Sequence, residues 1–83
     1  MDYRLTKHAD DVLSEREIPL DLLERVLSDP TLKRPDNVDP NLECWYRGLP
    51  EAGNRVHKVV VDPNALPVRV IAVYFDRSMK GKL

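Results

Sequence analysis

Apolar positions along this chain change their spacing twice, and the changes mark out its elements. Ala9, Val12, Leu13 and Arg16 fall on one face at i, i+3, i+4 and i+7, which predicts a helix over residues 7–16. Thr6 stands where its oxygen can accept from a free N–H of the first turn. Asp10 and Asp11 occupy that turn, where the helix dipole favours acids. Pro19 cannot continue this helix but suits the start of the next. Leu22, Leu23, Val26 and Leu27 then predict a second helix from residue 19 to residue 27 or 28, closed by Asp29-Pro30. Ahead of both, residues 2–5 read as an extended lead-in, a possible edge strand, with Tyr3 and Leu5 on one side.

Pro30, Pro35 and Pro40 recur among Asp36, Asn37 and Asp39, so residues 30–42 read as a loop. Three strands follow, at 43–49, 55–62 and 68–75, joined by turns at 50–54 and 63–67. The last is the strongest strand signal, because Val, Ile, Tyr and Phe suit a pleated surface. Helices set apart from strands argue an α+β fold, with two N-terminal helices packed on one face of a three- to four-stranded antiparallel sheet. Residues 1–83 form a single domain, with Leu13, Leu23, Val26, Leu27, Val60, Ile71 and Val73 expected in its core. Strict alternation places Val56, Lys58 and Val60 opposite Arg55, His57, Val59 and Val61. It also places Val68, Val70, Ala72 and Tyr74 opposite Arg69, Ile71, Val73 and Phe75, and Trp45 opposite Cys44 and Tyr46.

Composition narrows the class. A chain of 83 residues buries only about 60–65% of its unfolded surface, which allows one modest core. Its lone cysteine, Cys44, forbids an internal disulfide and fits a reducing cytoplasm. No apolar run reaches the ~20 residues of a membrane span, and residues 2–5 lack the apolar stretch of a secretory signal. Net charge is −1, but residues 1–43 carry eleven acids against six bases and residues 44–83 three acids against seven bases. A basic half faces phosphates or an acidic partner, or simply solvates its own surface.

Candidate chemistry is sparse. His8, Cys44 and His57 lie too far apart in sequence for metal-ligand spacing, so no metal or cofactor is expected. Cleavage of RNA without metal needs a base for the 2′-hydroxyl, cations for the phosphate and an acid for the leaving oxygen. His57 and Tyr74 are the candidate catalytic residues, and Arg47, Arg55, Lys58, Arg69 and Arg77 the candidate RNA-binding ones. His8 and Arg16 are expected to be structural: a buried His8 bonding a backbone carbonyl would fix the corner between lead strand and first helix, and Arg16 would pair with Asp76 or Glu43.

Leu5-Thr6-Lys7-His8-Ala9, Arg16-Glu17-Ile18 and Val70-Ile71-Ala72-Val73-Tyr74 together resemble the family called domain of unknown function 4258. That family is similar to the RelE-like and BrnT-like toxins of bacterial toxin–antitoxin pairs, small α+β ribonucleases neutralised by an antitoxin. The chain departs from the family pattern at Val12, where an arginine is usual, at Glu17 in place of glycine, and at Pro19 in place of serine or threonine. The resemblance implies a cytoplasmic toxin that cleaves RNA without metal and pairs with an antitoxin protein. Val12 and the low net charge point instead to a non-catalytic interaction module with the same fold.

Overall fold

The computed structural model describes residues 2–83. Its elements are β1 (Tyr3–Leu5), α1 (Lys7–Glu15), α2 (Leu20–Ser28), β2 (Leu32–Pro35), β3 (Glu43–Leu49), β4 (Arg55–Asp62) and β5 (Val68–Phe75). Short 3-10 turns follow β3 at Pro50–Ala52 and β5 at Arg77–Met79. The fold is α+β, but the sheet is larger than the expected three or four antiparallel strands. It has five, in the order β1-β5-β4-β3-β2, and it is mixed, because β1 runs parallel to β5. Among the described residues no helix is long and apolar enough to cross a membrane.

The extra strand, β2, lies inside the segment expected to be a loop. Leu32 to Pro35 pair with Tyr46 to Glu43, and Pro35 is tolerated because β2 is an edge strand at its last position. The Lys33 ammonium sits 4.2 Å from the Trp45 ring centroid and covers its outer side. Prolines on either side and a single leucine within Leu32–Pro35 hid this strand, since cross-strand pairing rather than local propensity makes it.

Both helices pack on one face of the sheet. Ala9, Leu13, Ile18, Leu23, Val26 and Leu27 meet Trp45, Val59, Val61, Val70 and Val73 there, with Val68 and Phe75 at the margin. Cys44, Tyr46, Val56, Val60 and Ala72 form a smaller cluster on the other face, with Leu32, Leu42, Ile71 and Met79 packed against it. Five of the seven expected core residues therefore lie under the helices. Val60 and Ile71 belong to the opposite face.

That division corrects the strict alternation expected of β5. Val61 partners Val70 and Val60 partners Ala72, so Ile71 is an extra residue, a β-bulge. Beyond it the facing is reversed: Val68, Val70, Val73 and Phe75 turn to the helices, while Ile71, Ala72 and Tyr74 turn away.

Thr6 clasps this bulge. Its backbone N–H donates to the Val70 carbonyl at 3.0 Å. Its hydroxyl donates to the Ile71 carbonyl at 3.1 Å and accepts from the Ala9 N–H at 3.2 Å, which also caps α1. The expected role of His8 is thereby corrected. His8 is exposed on α1 and makes no side-chain hydrogen bond among the described residues. Thr6 fixes the corner instead, through its cap on α1 and its bonds to Val70 and Ile71. Thr6→Ala should therefore cost about 1–3 kcal/mol, as a lost cap that also strands a part-buried carbonyl. His8→Ala should unfold at the wild-type denaturant midpoint; equal losses in the two variants would contradict the assignment.

Candidate functional site

Three bases of the C-terminal half, Arg55, Arg77 and Lys80, gather with Arg16 at one end of the sheet. There the C-cap of α1, the start of β4, the end of β5 and the following 3-10 turn converge, and the Asp76 N–H donates to the Val56 carbonyl at 2.8 Å. Between them lies a cleft of about 340 Å³ lined by Arg16, Arg55, Phe75, Asp76, Arg77 and Lys80. Arg55 lies over the Phe75 ring, with its guanidinium carbon 5.2 Å from the centroid. Among the described residues no carboxylate lies within ion-pairing distance of Arg16, Arg55, Arg77 or Lys80. Four cations thus surround a hollow that holds one carboxylate, Asp76. Arg16 is exposed at this rim and does not form the ion pair expected with Asp76 or Glu43.

A second hollow continues the first around the same edge, sharing Phe75, Asp76 and Arg77 with it. It opens on the sheet face away from the helices and is lined further by Asp36, Lys58 and Tyr74.

The candidate catalytic pair is not brought together. His57 and Tyr74 stand on opposite faces of the sheet. His57 is fully buried beneath the helices and stacks on Phe75 with centroids 5.1 Å apart. Neither ring nitrogen has a well-formed hydrogen bond among the described residues. Burial pushes its pKa down to about 4, an effect that the Leu22 backbone offsets only in part. The imidazole is therefore neutral, sealed from solvent and out of reach of any substrate. Tyr74 is 45% exposed.

The candidate RNA-binding residues divide as well. Arg55 and Arg77 line the cleft, and Lys58 lines the neighbouring hollow. Arg47 does not join them. It closes the end of α2, donating to the Asp29 carbonyl at 2.6 Å and to the Asp29 carboxylate at 2.9 Å. Arg69 lies at the far end of β5, with its guanidinium 4.0 Å from Asp62. Sequence reasoning missed Lys80 and Asp76 and gave Arg16 to an ion pair. The available signal was Asp76-Arg77-Ser78, an Asx-type turn that swings the chain back toward β4 just after the last strand.

The chain has no match among protein-family models, curated proteins or solved structures. Its site therefore stands on its own chemistry. Arg and Lys side chains left without carboxylates, beside an aromatic ring, suit a phosphate-bearing chain more than a small apolar ligand.

The buried His57 also makes stability depend on pH. Its folded pKa of about 4 lies below the ordinary 6.5, so between those values the unfolded chain takes up a proton that the folded chain refuses. Its contribution is complete above pH 6.5 and falls as the pH drops toward 4, by about 3 kcal/mol in all. His57→Leu should flatten this part of the pH–stability curve. Chemical denaturation of both proteins at pH 7 and pH 5 checks it, and parallel losses would contradict the assignment.

Proposed function

We propose that this protein binds RNA in the cleft formed by Arg16, Arg55, Arg77 and Lys80, and that it does so as the toxin member of a toxin–antitoxin pair. One observation carries the reading: four cations without carboxylate partners converge on a single aromatic-floored cleft, in a chain whose net charge is slightly negative. Such cations stay solvated until an anion replaces their water, and a phosphodiester chain satisfies several at once. The resemblance of Leu5–Ala9, Arg16–Ile18 and Val70–Tyr74 to domain of unknown function 4258, a family similar to the RelE-like and BrnT-like toxins, supports RNA as the anion and an antitoxin as the partner.

Within this reading the RNA 2′-oxygen would attack the phosphorus, its proton passing to solvent water because His57 is buried. The cations would stabilise the charge on the phosphate in the transition state, and Tyr74 would donate a proton to the departing 5′-oxygen. The burial of His57 supports the second reading, a module that binds without cleaving, because it removes the imidazole expected to serve as the base.

RNA affinity should fall with salt along a log–log slope of roughly −0.7 for each phosphate engaged. Arg55→Ala and Arg77→Ala should each weaken binding and make that slope shallower by roughly 0.7. Arg69→Ala, at the other end of β5, should leave both unchanged. Fluorescence anisotropy with a labelled oligoribonucleotide measures this, and salt-independent or absent binding would sink the proposal. Incubation of the same RNA with wild type and Tyr74→Phe separates the two readings. Cleavage by wild type that is lost in Tyr74→Phe supports the toxin, whereas intact RNA with both proteins supports the module.

A further inference from the structure

The hollow beside the cleft has a volume of about 550 Å³, and its side chains differ in kind from those of the cleft. Tyr46, Lys58 and Tyr74 are direct partners in one row across β3, β4 and β5. The Lys58 ammonium lies 5.9 Å from each tyrosine ring. Tyr46 is buried, so of the two rings Tyr74 is the one with a face open to solvent.

Two carboxylates border this ring, and they are not equivalent. Asp36 is fully engaged: one oxygen accepts from the Val38 and Asp39 N–H groups and the other from the Cys44 thiol. In Asp76, Oδ1 accepts from both the N–H and the hydroxyl of Ser78. Its Oδ2 has no well-formed hydrogen bond among the described residues. Those bonds from Ser78 hold the Asp76 carboxyl below the usual carboxylate range, which keeps it ionised at neutral pH. Asp76 keeps an extended backbone, with φ −95° and ψ 100°, so it continues the line of β5. Tyr74 and Asp76 therefore sit about 6–7 Å apart on one side of that line.

Resting on the RNA reading above, we propose that Tyr74 and Asp76 form a base-selective subsite that prefers guanine. An unstacked base lies on the open Tyr74 ring, as single-stranded bases do on aromatic side chains. Its edge then meets a fixed carboxylate with a free oxygen. Guanine presents two adjacent N–H donors, N1–H and the N2 amino group. Cytosine and adenine present one amino group each. Uracil presents its N3–H between two carbonyl oxygens, which the carboxylate repels. The expected order is guanine, then cytosine and adenine, then uracil. Arg77 lines both hollows, so the phosphate next to the selected base falls within the cation cleft.

The test is fluorescence anisotropy at low salt with four labelled uridine octamers, differing only in a central G, C, A or U. Wild type should bind the G octamer about tenfold more tightly than the U octamer, which is the usual discrimination of a paired base contact. Asp76→Asn keeps an oxygen for Ser78 and replaces the free oxygen by an amino group. It should unfold as wild type does, bind all four octamers, and bring G and U within about twofold of each other. Equal wild-type affinities that still fall with salt would overturn the subsite and leave RNA binding standing. A guanine preference that survives Asp76→Asn would overturn it too. Absence of binding to every octamer would overturn the subsite and the RNA reading together.

Discussion

The bulge at Ile71, held by Thr6, decides which side chains this protein shows. Without the extra residue, Phe75 would face outward and Tyr74 would point into the helices. With it, Phe75 caps the buried His57 and floors the cation cleft, and Tyr74 stands on the open face beside Lys58. The bulge leaves the Ile71 carbonyl to be satisfied from outside the β4 ladder, and the Thr6 hydroxyl does so while capping α1. One threonine thus ties the first helix, the edge strand and the geometry of the site to a single point.

Charge follows the same division. Acids are concentrated on the solvent sides of the helices: Asp10, Asp11, Glu15, Asp21 and Glu24 are all exposed. Two of these acids are paired locally, Asp11 with Lys7 and Asp21 with Arg25, which also meets Glu51. Exposed pairs of this kind contribute little to stability. The helices keep more acids than bases, so their outer side is acidic, while the cleft residues keep their positive charge. A net charge of −1 therefore conceals a strongly cationic edge.

Much of the fold was legible because it rests on local signals. Helical spacing placed both helices to within a residue at each end, and β-branched and aromatic content placed β3, β4 and β5. What escaped depends on long-range pairing. β2 exists because it pairs with β3, and β1, expected as an edge strand, takes its parallel direction from its contact with β5. The bulge has no local signature, so strict alternation misplaced every β5 residue after it. The site was legible in part for the same reason. Arg55, Lys58, Arg77 and Tyr74 were picked out as cations and an aromatic on late elements. Arg47, His57 and Arg69 lie outside the two hollows, and only long-range packing shows that the first is engaged by Asp29, the second buried and the third beside Asp62.

The most direct test of this account is a ¹⁵N–¹H correlation spectrum of the labelled protein, titrated with a short single-stranded RNA. Amide shifts should concentrate at Arg16, at Arg55 and Val56, and from Tyr74 to Lys80, with the acidic outer faces of α1 and α2 unmoved. Shifts centred on α2 or β2, or none at saturating RNA, would contradict the claim that the bulge-ordered end of the sheet is the functional surface.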